Sequence, residues 1–114
     1  MLPGWRIDAQ FVPSTELNTG DNQFIAHFDF GRLDGQLTVR PRQRGDRFQP
    51  LGMQGMKKVA QLMLDAKIPG NRRDRVPILA DDTGILWVVG CRIAERAKIT
   101  PQTKKTLQIQ FERI

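Results

Sequence analysis

The stretch that decides the fold is VPILADDTGILWVVG, residues 76–90. Two apolar arms flank the polar sequence DDTG at 81–84, a pattern that predicts a β-hairpin with a four-residue loop. An Asp side chain supports a turn through hydrogen bonds to its own backbone, which favours a turn role for Asp81 and Asp82 over a catalytic carboxylate pair. The second arm, residues 85–90, is apolar on both faces and is therefore predicted to lie centrally in a sheet.

Four further strands are predicted on either side of this hairpin, from alternation of apolar and polar residues or from short runs between breakers. A polar segment at residues 18–22, with one glycine, predicts a loop between the first two strands. The predicted strands are residues 5–12, 23–30, 36–40 and 106–111.

One main helix is predicted at about residues 56–67, where apolar residues recur at helical spacing. Pro69-Gly70 ends it, and Asn71 is a candidate cap for a short turn with Asp74 in its third position. The expected fold class is α+β, with a mostly antiparallel sheet or a partly open barrel of about six strands and the helix packed against it. The helical apolar stripe consists of Val59, Leu62, Met63 and Ala66.

The positive charge of the chain is concentrated in its middle. The 114 residues carry 18 Lys and Arg against 12 Asp and Glu, a formal charge of +6. Residues 35–79 alone hold ten basic residues against three acidic ones. This excess favours an acidic partner, and charge alone does not choose between nucleic acid and a membrane surface.

Three basic features follow one another within that middle segment. Residues 40–47 contain four arginines, residues 72–75 contain three, and between them the glycine-containing loop 52–55 leads through Lys57 and Lys58 into the predicted helix. Backbone N–H groups at a helix start suit a phosphate, although the glycines could equally serve only to form turns. The spacing is not that of a Walker A loop, so nucleotide hydrolysis is not supported.

Composition excludes several other kinds of site. One cysteine, Cys91, cannot form an internal disulfide, and this favours a reducing compartment such as the cytoplasm. One histidine, His27, is expected to face solvent from a strand, and no zinc-ligand spacing or catalytic triad is present. No apolar run approaches the roughly 20 residues of a transmembrane helix, so no membrane partner is expected. Trp5 and Trp87 lie in predicted strands, which makes them core candidates and leaves base stacking weakly supported.

The middle segment resembles a known family. Residues 37–53, LTVRPRQRGDRFQPLGM, look like the opening motif of the C-terminal domain of bacterial tRNA(Ile)-lysidine synthetase. The likeness covers about residues 26–110, and residues 1–25 match least. Its continuation is GMKKV at 55–59, DAKIP at 65–69, RRDRVPIL at 72–79, GILWVVG at 84–90 and Arg92-Ile93.

The resemblance implies a specific function, which the charge distribution alone does not identify. That family uses ATP to join lysine to the wobble cytidine of an isoleucine tRNA, and its catalysis resides in an N-terminal ATP-pyrophosphatase domain with an S-G-G-x-D-S loop. This sequence lacks the loop. The resemblance therefore implies that residues 1–114 are one C-terminal domain of a larger ligase, non-catalytic alone. It also implies no cofactor here, and ATP with Mg in the catalytic domain.

The resemblance also implies partners and a fold. The family's C-terminal domain engages tRNA, mainly at the acceptor stem, and a related module of the phenylalanyl-tRNA synthetase β-chain favours a compact β-rich fold with an inserted helix. The expected partners are tRNA and the chain's own catalytic domain, and a homodimer is left open. Nine residues become candidates for phosphate contact: Arg40, Arg42, Arg44, Arg47, Lys57, Lys58, Arg72, Arg73 and Arg75.

Alternatives stay open at this point. Arg42 or Arg47 could instead pair with Asp46 or Asp74 and brace the loop. Two other functions compete with tRNA binding: a structural module that packs on the catalytic domain or on a second subunit, and an enzyme for phosphorylated small molecules, which would need a deep pocket. Three glycines are expected to shape the backbone: Gly45, Gly52 and Gly55.

Overall fold

The computed structural model describes residues 3–13 and 22–114. Within these residues lie nine strands, one α-helix and short 3-10 helices, of which Gly70–Arg75 is called the arginine turn below. The loop predicted at 18–22 falls, apart from Asn22, outside the described residues. The elements are β1 (Trp5–Val12), β2 (Ile25–Asp29), β3 (Thr38–Arg40), β4 (Arg47–Phe48), β5 (Lys57–Lys58), α1 (Val59–Asp65), β6 (Ile78–Ala80), β7 (Ile85–Val88), β8 (Arg92–Ile93) and β9 (Thr106–Arg113).

The strands form two antiparallel sheets and a small ribbon. One sheet has the order β1-β9-β2, the other β3-β6-β7-β8, and β4 pairs with β5. Every strand pair is antiparallel, and all six predicted strands are present, so the α+β prediction is confirmed. The strands that the sequence did not predict (β4, β5 and β8) have two residues each and are too short to show alternation.

The hairpin of β6 and β7 has the turn that its sequence predicts. The N–H of Asp81 donates to the carbonyl of Gly84 at 3.0 Å, and the Asp81 carboxylate accepts from the N–H groups of Thr83 and Gly84. Arg96 binds both oxygens of the same carboxylate, at 2.5 and 3.1 Å. Asp81 therefore holds the turn closed, and its side chain is fully buried.

β7 is central, as predicted, because it supplies both hydrophobic clusters of the core. Leu86 and Trp87 belong to a cluster shared with β2 and β9, and Ile85 and Val88 to a cluster that α1 covers. Full burial of each such side chain stabilises the fold by roughly 1.5–3 kcal/mol. The α1 cluster consists of Phe48, Val59, Leu62, Met63, Ile78, Ile85, Val88 and Ala94.

The helix is shorter than the predicted range of 56–67. Lys57 and Lys58 pair with β4 as strand residues, and α1 begins at Val59, whose N–H donates to the carbonyl of Asp46 at 2.9 Å. Lys67 has a φ of 58°, a conformation that cannot continue a helix. Three residues of the predicted stripe are buried, whereas Ala66 is exposed at the helix end.

Two smaller predictions are wrong. His27 is buried, not exposed, because the residues from Ala26 to Asp29 are all covered, and its Nε2 lies 2.9 Å from Oε1 of Gln108. Asn71 does not cap the arginine turn, which starts after Pro69 and has no side-chain cap.

Candidate nucleic-acid interface

Two basic cavities lie on either side of one wall of the molecule. The larger, called the groove, has a volume of about 730 Å³, and the smaller, called the loop cavity, about 350 Å³. The wall is built from β5, α1 and the arginine turn, each of which contributes to both cavities. Successive strand residues point in opposite directions, so Lys57 lines the groove while Lys58 lines the loop cavity.

Cations dominate the groove. Among the described residues, the only carboxylate that lines the groove is Asp65, which accepts hydrogen bonds from Lys57 Nζ at 2.6 Å and from Gln61 at 2.9 Å. These two bonds, the one from Lys57 first, lower the pKa of Asp65, so it stays ionised and neutralises Lys57. The other basic lining residues form no ion pair with any described residue: Lys67, Arg72, Arg75, Arg92 and Arg113.

An aromatic pair forms another part of the groove lining. Trp5 and Phe24 stack with their ring centroids 5.8 Å apart, and the guanidinium of Arg113 lies 5.0 Å from the Trp5 ring. Sequence reasoning missed this pair, since it placed Trp5 in the core. The sequence holds no signal for this pair, because alternation along β1 places Trp5 on the same side as Ile7 and Ala9, opposite the polar Arg6 and Asp8.

Cys91 lies in the same groove and is half-buried. Burial raises the pKa of its thiol, since the charged thiolate is poorly solvated there. The thiol is consequently protonated at neutral pH and is a poor nucleophile.

The loop cavity contains more paired charge than the groove. Arg40 donates to both oxygens of Asp46, at 2.8 and 3.1 Å, and the same carboxylate accepts from the N–H of Gln43 at 2.7 Å. Arg42 Nε lies 2.9 Å from Asp74, which ties the loop to the arginine turn. These bonds fix the backbone of residues 40–47 and hold the arginine turn beside it.

The nine predicted phosphate-contact residues thus divide into two groups. Four are engaged within the protein: Arg40 with Asp46, Arg42 with Asp74, Lys57 with Asp65, and Arg73, whose Nε donates to the carbonyl of Ile68 at 3.0 Å. The expected bracing by Arg42 is present, but Asp46 is bound by Arg40 and not by Arg47. The other five make no ion pair within the described part of the chain: Arg44, Arg47, Lys58, Arg72 and Arg75.

The glycine loop does not lead directly into a helix, which removes the helix-start argument for the phosphate alternative. The N–H of Gly52 donates to Glu95 Oε1 at 3.0 Å, and α1 begins only after the strand β5. The bond from Gly52 and a second one from Lys98 lower the pKa of Glu95. Gly45 and Gly52 have φ values of 85° and 81°, which favour glycine. Gly55 is not among the positive-φ residues.

The described residues hold neither a helix that could span a membrane nor a cluster of metal-binding side chains. Across residues 3–13 and 22–114, no helix combines the length and apolarity that crossing a membrane requires. The same residues contain no group of three or more His, Cys, Asp or Glu side chains suited to a metal ion.

Comparison with known proteins relates this chain to lysidine-forming enzymes. A family model described as "TilS substrate C-terminal domain" matches residues 37–110. A tRNA(Ile)-lysidine synthase of Dehalococcoides mccartyi is 40% identical over 111 residues, which is 96% of this chain and 24% of that protein. The chain therefore spans about a quarter of that relative's length.

Two solved structures are similar in fold. A crystal structure of a TilS C-terminal domain has a TM-score of 0.85 at 30% identity, covering 99% of this chain and 88% of that one. An N-terminal fragment of the phenylalanyl-tRNA synthetase β-subunit from Pyrococcus horikoshii has a TM-score of 0.63 at 20% identity, covering 76% and 27% respectively. The second likeness concerns the fold alone, and it agrees with the related module that the family resemblance implied.

Proposed function

The chain belongs to the TilS substrate C-terminal domain family, and from this premise we propose that it is the tRNA-binding C-terminal domain of a longer tRNA(Ile)-lysidine synthase. One observation carries the proposal. Within the described residues, the groove presents five cations without an ion pair, and the one carboxylate that lines it is already neutralised by Lys57. A surface of this kind complements a polyanion such as the tRNA backbone.

In this proposal the catalytic chemistry takes place in a separate catalytic domain of the parent enzyme. The parent enzyme uses ATP to join lysine to the wobble cytidine of an isoleucine tRNA, in the cytoplasm where tRNA is found. ATP and Mg²⁺ bind to its catalytic domain, and this domain contributes RNA binding without catalysing the reaction alone.

The arginine turn is the centre of the proposed interface. Arg72 and Arg75 line the groove, and arginine suits phosphate because its planar guanidinium offers several donors in a fixed fork. Asp74 lies between them in the sequence and binds Arg42 of the loop. The turn is therefore held in place on the side that faces the loop cavity, away from the groove. A turn fixed in this way presents its two free guanidiniums with little loss of conformational entropy.

We also propose which part of the tRNA is bound. Arg44 and Lys58 in the loop cavity and the groove cations lie on two sides of one wall, so together they can contact separate phosphates of a duplex. A double-stranded segment such as the acceptor stem offers phosphates in such an array, and its contacts depend on shape more than on sequence.

The test is a tRNA titration of this chain carrying Arg72→Glu and Arg75→Glu, with binding measured by fluorescence anisotropy at several salt concentrations. A similar C-terminal domain has been solved as a separate structure, which supports using the domain alone. The double variant is expected to bind at least about tenfold more weakly, with a salt dependence shallower by about two in slope.

The single charge reversal Arg72→Glu is measured beside a matched control, Lys104→Glu. Lys104 is exposed and lines neither cavity. The control is expected to change tRNA affinity much less than Arg72→Glu. Unchanged affinity in the double variant, or an equal loss in the control, would contradict the assignment of the groove.

A second role, packing against the catalytic domain, is favoured by one exposed aromatic pair. Phe11 and Phe30 are 51% and 42% exposed, and their rings form an edge-to-face pair with centroids 5.0 Å apart. If they pack on the catalytic domain, Phe11→Ser should lower the unfolding temperature of the full-length enzyme more than that of this chain. An equal decrease in both proteins would argue against such packing.

A further inference from the structure

The groove combines free cations with an exposed aromatic ring, and binding duplex RNA requires only the cations. It has free cations, and it has a large aromatic side chain, Phe24, that is 39% exposed among them. A duplex presents phosphates and sugars on its outside, while its bases are stacked inside and closed to an aromatic ring. An exposed ring beside phosphate-binding groups is instead the arrangement that receives single-stranded nucleotides.

We infer that the groove binds an unpaired nucleotide of the RNA, with its base stacked on Phe24 and its phosphates contacted by Arg72, Arg75 and Arg113. The inference rests on the proposed tRNA binding and adds to it the kind of nucleotide bound. A volume of about 730 Å³ lies in the range of cavities that enclose small-molecule ligands, roughly 300–1,000 Å³, and this is enough for a nucleotide.

Phe24, and not Trp5, is the ring available for stacking. Trp5 is already surrounded: Phe24 stacks on it with an interplanar angle of 26°, Phe111 meets it edge-on at 6.1 Å, and the Arg113 guanidinium lies 5.0 Å from its ring. Phe24 has this stack on one side and retains exposed surface within the groove. Trp5 therefore acts as the support of the stacking ring.

The position of Phe24 is fixed before any ligand arrives. Its carbonyl accepts from the N–H of Phe111 at 2.8 Å, and the carbonyl of the preceding Gln23 accepts from Gly90 at 3.2 Å. A Cβ at Gly90 would lie 3.3 Å from the Phe24 ring, so glycine allows the ring to lie close to the backbone. A ring that is already positioned loses little entropy when a base stacks on it.

The test compares two RNA probes of equal stem sequence: a blunt hairpin and the same hairpin with a short unpaired tail. The wild-type chain is expected to bind the tailed hairpin about tenfold more tightly at one fixed salt concentration. Phe24→Ala should reduce this preference to about twofold or less while its affinity for the blunt hairpin stays the same. Phe24→Tyr keeps an aromatic face and should restore the preference.

Phe30→Ala is the matched control, because Phe30 is similarly exposed and lines neither cavity. It should retain the full preference for the tail, and far-ultraviolet circular dichroism should show that both alanine variants are folded. Equal binding of the two probes by the wild-type chain would overturn the inference while leaving tRNA binding intact. Failure of the wild-type chain to bind either probe would overturn the proposed function and this inference with it.

Discussion

The basic loop, residues 40–47, and the arginine turn, Gly70–Arg75, are equally rich in arginine but use their arginines differently. In the loop, Arg40 and Arg42 are held by carboxylates, whereas Arg72 and Arg75 of the turn have no ion pair within the described residues and line the groove. The density of charge along the sequence is therefore a poor guide to ligand binding. The acceptors within reach of each arginine decide whether it braces the fold or is free for a ligand: carboxylates hold Arg40 and Arg42, and a backbone carbonyl holds Arg73.

The two regions also depend on each other. Asp74 of the turn is the partner of Arg42, so the loop forms one side of the support for the turn. Asp46 extends this support, since it binds Arg40 and Gln43 by its side chain and the start of α1 by its carbonyl. On this comparison, loss of the Asp46 carboxylate in the loop should affect stability, and loss of Arg72 or Arg75 in the turn should affect RNA binding.

The largest expected effect is the loss of stability on Asp46→Ala. This change removes two bonds from Arg40 and one from the N–H of Gln43, in a carboxylate that is only 11% exposed. We expect the free energy of unfolding in urea to fall by about 2–3 kcal/mol. Arg44→Ala in the same loop should change the free energy of unfolding by less than about 0.5 kcal/mol. Similar values for the two variants would contradict the division of the loop into bracing and unpaired residues.

A smaller loss of stability, of about 1.5 kcal/mol at neutral pH, is expected for Asp81→Asn at the hairpin turn. There Arg96 braces the fold by binding the Asp81 carboxylate. Desolvation tends to raise the pKa of Asp81, but the hydrogen bonds from Arg96 and from the N–H groups of Asp34, Gly84 and Thr83 outweigh it and hold the pKa below its ordinary value. A lowered carboxyl pKa contributes stability that is present above the unfolded-state pKa and is lost as pH falls through the folded-state value.

Stability should therefore decrease below about pH 4 in the wild-type chain. Asp81→Asn should be less stable at neutral pH and should lose less stability on acidification, as measured by thermal unfolding between neutral and acidic pH. An unchanged slope in Asp81→Asn would show that this carboxylate is not responsible for the acid dependence.

Salt dependence separates a phosphate-binding arginine from a bracing one. Arg75→Ala removes a groove cation that has no ion pair within the described part of the chain. It should weaken tRNA binding about fivefold and make the slope of log affinity against log salt shallower by about one. Arg42→Ala removes a charge that Asp74 already balances, so it should leave that slope nearly unchanged. A shallower slope in Arg42→Ala alone would reverse the roles of loop and turn.

The smallest expected effect is a change in the alkylation rate of Cys91, and measuring it needs no substitution. Burial raises the pKa of this thiol, so maleimide labelling should be slow at neutral pH and faster as pH rises. Because Cys91 lines the groove, bound tRNA should slow the labelling severalfold at a fixed pH. Labelling at the same rate with saturating tRNA would argue against RNA in the groove.

The sequence predicts the local features and misses those that depend on distant pairing. The hairpin at residues 76–90 is encoded by neighbouring residues, namely two apolar arms and an Asp-rich turn, and is found as predicted. Arg40 and Asp46 are only six positions apart, but the loop has to fold before their pairing is evident. The aromatic part of the groove depends on β1 pairing with β9, which brings Trp5 opposite Arg113 from the two ends of the chain.

The most direct test of the central claim, that the groove binds RNA, is a titration of the isotopically labelled chain with tRNA, followed by amide proton–nitrogen spectra. The largest shift changes are expected at residues 67–75 and 90–92, together with the indole N–H of Trp5. Changes concentrated at the hairpin turn, residues 81–84, or spread evenly over both sheets would contradict it.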